Sequence, residues 1–238
     1  QPVIALASGQ VTGVEALLRW QHPQRGLLMP DQFLDTLEEM GLISPLSDWV
    51  FTHSCQTLAL LHQNGYPALT MSINLSPRQF KDPHILQRIQ RHIHAQSISP
   101  TRFILELTEN TLLQDVDQAV SLLQQLRAMG FKIAIDDFGT GYSSLSYLKQ
   151  LPVDILKIDR SFIHNLPQDQ NDLQITQAIL ALAHNLNLEV VAEGIETTAQ
   201  QDFLASTGCT LGQGYLFCPA EAPDKLLVWL SDTARQLA

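Results

Sequence analysis

Only four residues, "ASGQ" at 7–10, separate the apolar runs "PVIAL" (2–6) and "VTGVEALLRW" (11–20). That is a hairpin linker, too short for the crossover helix that parallel neighbours require, so the two runs should pair antiparallel. Six further apolar runs follow at 68–75, 102–108, 131–136, 153–159, 188–193 and 209–214, most of them separated by segments of helical period. "VDQAVSLLQQLRAMG" puts Val116, Val120, Leu123 and Leu126 on one helical face and closes on Gly130. "NDLQITQAILALAHNLN" opens on a capping residue, Asn171 or Asp172, and is apolar at Ile175, Ile179 and Leu182. Eight strands with intervening helices predict an α/β fold, a modified TIM-type (β/α)8 barrel with one antiparallel strand. An open doubly wound sheet is the competing architecture. It gathers polar groups at one switch point, whereas here they recur at the end of nearly every run.

Strand parity sorts the side chains further. In "FILELT", Phe103, Leu105 and Leu107 share one face, and Ile104, Glu106 and Thr108 the other. In "FKIAID", Phe131, Ile133 and Ile135 oppose Lys132, Ala134 and Asp136; in "TMSINL", Met71, Ile73 and Leu75 oppose Ser72 and Asn74. Each strand thus has an apolar face for a helix layer and a mixed face carrying a functional group near its C-terminal end. By this reading Glu15, Asn74, Glu106, Asp136, Lys157 and Glu193 converge on one opening, with Arg19 at the parity of Glu15.

Carboxylates gathered round one axis cannot all ionise without cations. Hard oxygen donors select Mg²⁺ or Mn²⁺ over zinc. The adjacent pair Asp136–Asp137 suits two ions, one carboxylate bridging and the next binding only the second, as in phosphodiester-cleaving sites. Taken singly, each residue has a plainer role. Glu15 or Glu106 can cap a helix, Asn74 can form a turn, Lys157 can pair with Asp154 or Asp159, and Arg19 can pack on the surface. Their concurrence at equivalent strand ends favours the site. A glycosidase needs only two acids.

The other motifs point elsewhere or nowhere. "GTGYSSL" lacks both phosphate-loop patterns and reads as a mobile loop jointed at Gly139 and Gly141, ending in a Ser143 or Ser144 cap. His92 and His94 read as a solvated helix face, His22 and His184 have no ligand spacing, and no GxSxG is present. Cys209 reads as a buried strand cysteine, and the odd trio Cys55, Cys209 and Cys218 fits a reducing cytoplasm. A net charge of −10 argues against binding DNA or RNA duplexes through a basic surface.

The motifs "EALLRW" (15–20), "INLSPRQF" (73–80), "LELTE" (105–109), "IAIDDFGTGYSSLSYLKQLPVDILKIDRSFI" (133–163), "VVAEGIET" (190–197) and "GCTLGQGYLF" (208–217) resemble the EAL-domain family of bacterial cyclic di-GMP phosphodiesterases. The resemblance spans nearly the whole chain. It implies a modified (β/α)8 barrel and divalent-metal-dependent hydrolysis of cyclic di-GMP to linear 5′-pGpG by a two-metal mechanism. The family also holds degenerate members that only bind the nucleotide, and a silent receptor is the alternative. Carried over, it implies that Glu15, Asn74, Glu106 and Asp136 bind the first ion and that Asp136 bridges to a second, held also by Asp137. Lys157 and Glu193 match the pair that handles the attacking water, with Glu193 as general base. Arg19 matches a substrate-contacting arginine, Glu109 the anchor of the "DDFGTGYSS" loop, and Glu196 and Gln213 positions beside the substrate or behind the ligands. It further implies a homodimer and a neighbouring GGDEF or sensory domain, with possible tethering to a membrane protein. The start at "QPVIAL" reads as the inside of a strand, so residues 1–238 are expected to be one domain of a longer chain.

Overall fold

The computed structural model describes residues 1–96, 98–141 and 145–236. Strands β1 (Pro2–Ala5) and β2 (Val11–Ala16) are joined by the short turn at 6–10. The chain then leaves the barrel for a small hairpin, β3 (Trp20–His22) with β4 (Gly26–Leu28), and helices α1 (Leu34–Glu39) and α2 (Ile43–Gln63). It returns through β5 (Thr70–Asn74), α3 (Pro77–Phe80), α4 (Ile85–Gln96), β6 (Phe103–Thr108), α5 (Glu109–Leu113) and α6 (Val116–Ala128). The rest alternates regularly: β7 (Lys132–Phe138), α7 (Leu145–Leu148), β8 (Ile155–Ile158), α8 (Gln170–Asn185), β9 (Glu189–Ala192), α9 (Thr198–Ser206), β10 (Leu211–Gly212) and α10 (Pro223–Gln236).

Eight of these strands close a barrel in the order β1-β10-β9-β8-β7-β6-β5-β2. β1 runs antiparallel to both its neighbours. The other pairs are parallel. The expected barrel with one reversed strand is therefore the fold.

Two hydrophobic cores divide the work. Outward faces such as Phe103, Leu105, Leu107, Ile133 and Ile135 pack against the helices in one large cluster. Inside the barrel a small separate cluster forms from Val3, Ala134, Ile155 and Val191, flanked by Ile104 and Leu211. Each fully buried Leu, Ile or Phe contributes about 1.5–3 kcal/mol. The outer layer thus carries most of the stability, and the inner face is left free to hold charges.

Several local expectations shift. The second strand ends at Ala16 and not at Trp20, because the chain turns away into the β3–β4 hairpin. The cap of α8 is Asp169, whose Oδ1 accepts the N–H groups of Asn171 (2.8 Å) and Asp172 (3.0 Å). The buried face of α8 runs through Thr176, Ile179, Leu180 and Ala183, with Ile175 exposed. In α6, Ala119, Leu122, Leu123 and Leu126 are buried, and Val116 and Val120 lie at the margin. His92 is no solvated residue: its Nε2 meets Asp48 Oδ1 at 2.9 Å and its ring stacks on Phe51. The side chain of His94 and the suggested Ser143 or Ser144 cap lie outside the described residues.

Candidate active site

Parallel pairing sets equivalent strand ends side by side. Glu15 lies opposite Ser72, Asn74 opposite Glu106, and Thr108 opposite Asp136, so the inward faces rise together to the C-terminal rim. At their centre is Lys157 of β8, 2% exposed. Its ammonium lies 2.6 Å from Glu106, 2.7 Å from Glu193, 3.1 Å from Asp136 and 3.2 Å from Glu15. The plainer pairings suggested for it do not occur. Asp154 binds Arg127 (2.9 Å), and Asp159 caps the following turn through the Ser161 N–H (3.0 Å).

Polar side chains tie the ring together. Asn74 Nδ2 donates to Glu15 Oε1 (2.8 Å), which leaves Asn74 Oδ1 for another partner. Gln213, directly after β10, donates from Nε2 to Glu15 Oε2 (2.7 Å) and Glu193 Oε1 (3.0 Å). Glu109 opens α5 and accepts the Gly139 N–H at Oε2 (3.3 Å). Gly139 has φ +97, and a Cβ there would meet the Phe162 ring at 2.9 Å, so only glycine fits beneath that loop.

Adjacent strand residues point to opposite faces, so Asp137 should turn away from Asp136. It does not, because the strand is bulged. Ile135 pairs with Leu156 and Phe138 with Ile158, so Asp136 and Asp137 together oppose Lys157. Asp137 takes φ +53, a left-handed conformation that aspartate tolerates better than most residues. Carboxylate oxygens of Asp136, Asp137 and Glu193 consequently lie within 4.8 Å of one another.

The electrostatics show what this costs. Burial, and then the charge of Glu15, holds Glu106 well above the usual carboxylate range, with Lys157 only partly offsetting them. Burial likewise raises Glu193 to about 8, Asp136 and Glu15 adding to it against Lys157. Asp137 is raised by burial and by Asp136. Glu15 is the exception. Burial pushes it up, but Lys157 and the bonds from Gln213 and Asn74 prevail and hold it low. Lys157 resists its own burial because Glu106, Glu15, Glu193 and Asp136 surround it, and its ammonium is strongly retained.

One ammonium does not neutralise this many acids, so protons stand in where cations are lacking. The donors are all oxygens, and buried Asp136 Oδ1 accepts no directed hydrogen bond although Lys157 lies 3.1 Å away. Such a set fits hard divalent cations. A pH effect follows. In the unfolded chain Glu193 returns to an ordinary value of 4.5, so between there and about 8 the folded protein holds a proton that the unfolded chain lacks. Its contribution to stability therefore falls as pH rises through that window. A divalent cation bound there would replace the proton, so Mg²⁺ or Mn²⁺ is expected to raise the melting temperature more at pH 8 than at pH 6. Thermal scans with metal and with chelator check this, and equal shifts at both pH values would count against a cation site.

A cavity of about 470 Å³ opens beside Asn74, bounded by Leu17, Leu18, Ser76, Arg78 and Thr108. It is large enough for a small ligand. Arg78 went unnoticed in the sequence, where a lone arginine in "SPRQF" carries no signal. Arg19 lies beyond the end of β2, and the cavity it borders also reaches Glu15. It lines a cavity of about 170 Å³ with Trp49, His53 and Glu221, and its Nη1 donates to the Leu18 carbonyl (2.8 Å). Glu196 is exposed, its backbone N–H donating to Gln200 Oε1 (2.8 Å). Cys209 is buried as expected, its thiol pushed up to about 12.

Comparison with known proteins supplies a second line. The family model described as EAL domain matches residues 1–220. The chain is 46% identical over 224 residues to the "Bifunctional diguanylate cyclase/cyclic di-GMP phosphodiesterase MucR" of Pseudomonas aeruginosa, covering 93% of this chain and 33% of that protein. It is 45% identical over 217 residues to "Cyclic di-GMP phosphodiesterase NbdA" of the same organism, covering 91% and 28%. The chain thus spans about a third of the length of these relatives. Among solved structures, "PaMucR Phosphodiesterase, c-di-GMP complex" superposes with a TM-score of 0.92 at 45% identity, covering 95% of this chain and 92% of that one.

Proposed function

The chain belongs to the EAL domain family, and from that premise we propose that it hydrolyses one phosphodiester bond of cyclic di-GMP to give linear 5′-pGpG. The observation that carries this reading is the buried ring of oxygen donors round Lys157, with Asp137 turned inward by the bulge. Glu15, Asn74, Glu106 and Asp136 would hold one Mg²⁺ or Mn²⁺, and Asp136 with Asp137 a second. Bound there, the ions would neutralise phosphate charge and make water acidic enough to react near neutral pH.

The chain's own residues do the rest. Lys157 holds Glu106 and Glu193 in place. Glu193 Oε1 is engaged by Lys157 and Gln213, which leaves Oε2 free to take a proton as general base. Gln213 fixes Glu15 and Glu193 relative to each other. Glu109 steadies the loop after β7. Arg19, in no ion pair among the described residues, is the cation for a phosphate oxygen, and Glu196 is read as standing behind the ligands or beside the substrate.

Residues 1–238 are read as one phosphodiesterase domain working beside a GGDEF or sensory domain, in keeping with the bifunctional relative. A homodimer and a cytoplasmic location belong to the same reading. No helix among the described residues is long and apolar enough to cross a membrane.

The test is turnover of cyclic di-GMP by purified protein with Mg²⁺ or Mn²⁺, with chelator, and with Glu15→Ala. Metal-dependent release of 5′-pGpG that the variant lacks is expected. Tight binding with no cleavage under every metal condition would instead make the chain a receptor.

A further inference from the structure

Glu193 stands just past the end of β9, at the first residue of the connection to α9. Its N–H donates to the Ile158 carbonyl of β8 (3.1 Å). On the other side, three main-chain hydrogen bonds join this connection to the segment after β10. Gln213 N–H donates to Ala192 (2.9 Å), Ile195 N–H to Gln213 (3.1 Å) and Leu216 N–H to Ile195 (3.0 Å). They carry the pairing of β9 with β10 beyond both strands.

Two glycines set how closely the connection is held. A Cβ on Gly214 would run into the carbonyl oxygen and the nitrogen of Ile195, with the carbonyl carbon 2.6 Å away. These are main-chain atoms, which cannot swing aside as the end of a side chain can. Gly214 has no left-handed φ, so space alone calls for glycine there. Ile195 itself is fully buried. On the opposite side, a Cβ on Gly194 would lie 2.6 Å from Cβ of Arg160, in the turn after β8. Glu193 therefore belongs to a segment gripped from the β8 side at Gly194 and from the β10 side at Gly214. The grip reaches its carboxylate in one step, because Gln213, next to Gly214, donates to Glu193 Oε1 (3.0 Å) and Glu15 Oε2 (2.7 Å).

We propose that Gly214 and Gly194 are positioning residues for Glu193. The missing side chain at each sets the distance of the β9–α9 connection from its neighbours, and with it the place at which Glu193 presents its carboxylate. The proposal rests on the phosphodiesterase reading of the site. A methyl group at position 214 has to push the connection outward by about an ångström, a displacement that costs about 10²-fold in rate at a reacting group. At position 194 the obstacle is a side chain, so a second substitution can remove it.

The experiment is steady-state kinetics of Gly214→Ala, alone and combined with Glu193→Gln, together with a crystal structure of Gly214→Ala. Gly208→Ala, whose added methyl group meets nothing within 4 Å, is the control and should keep its kcat. Gly214→Ala should lower kcat by about 10²-fold with KM within about threefold of the unaltered protein. In the Glu193→Gln background it should lower kcat by less than about threefold, because no base is left to misplace. The crystal structure should show the bond from Gln213 to Glu193 broken and the rest of the barrel unchanged. Full kcat in Gly214→Ala, multiplying losses in the double variant, or an intact Gln213–Glu193 bond would each overturn the proposal. If Gly214→Ala does not fold, the other side of the grip decides. Gly194→Ala should lower kcat and Arg160→Gly added to it should restore most of the loss, whereas a loss that persists would overturn the proposal. An unaltered protein that does not cleave cyclic di-GMP would refute the phosphodiesterase reading, and the crystal structure of Gly214→Ala would still test the grip on Glu193.

Discussion

Lys157→Met should abolish turnover, lowering kcat by at least about 10³-fold, more than the loss of a single oriented donor usually costs. The side chain is matched in length, so the volume of the barrel centre is nearly kept while its charge is removed. Glu15, Glu106, Asp136 and Glu193 then face one another without the ammonium that now lies 2.6–3.2 Å from them. Breaking a buried ion pair by deleting one partner costs about 3–5 kcal/mol. The loss should be larger at pH 8 than at pH 5, because at the lower pH protons quench the repulsion. Denaturant unfolding at the two pH values, run beside cyclic di-GMP turnover, measures both effects. Near-normal activity in this variant would remove Lys157 from the site.

The second large effect separates charge from backbone at Asp137. Asp137→Asn keeps a residue that tolerates φ +53, so the bulge and the thermal midpoint should survive while kcat falls by about 10²–10³-fold through loss of a cation ligand. Asp137→Val loses the same carboxylate and also strains the left-handed position, at an added cost of about 1–2 kcal/mol. Equal stability of the two variants would mean that the bulge does not constrain this residue. Full activity of Asp137→Asn would mean that its carboxylate is not a ligand.

Much of the constellation is legible from periodicity. Glu15, Asn74, Glu106, Asp136 and Lys157 lie on the inward faces that alternation assigns them, because side chains reverse at every step of a strand and parallel pairing keeps like faces together. Alternation fails where the backbone departs from a regular strand. It puts Asp137 on the wrong face, since a bulge depends on how β7 meets β8 and leaves no period in "AIDDF". It carries Arg19 along the parity of Glu15, although the strand has already ended at Ala16. His92 looked solvated because its partner Asp48 lies 44 positions away, on α2.

By itself the sequence determined the reversed first strand, the barrel and the identity of its inward-facing polar groups. These follow from local quantities, the reach of a four-residue linker and the two-residue repeat of a strand. Only the tertiary structure decided that Lys157 gathers four carboxylates, that a bulge is what turns Asp137 in beside Asp136, and that Gln213 borders an internal cavity. Those features arise from register and burial among residues distant in the chain, where each charge takes its character from neighbours that the order of residues does not reveal.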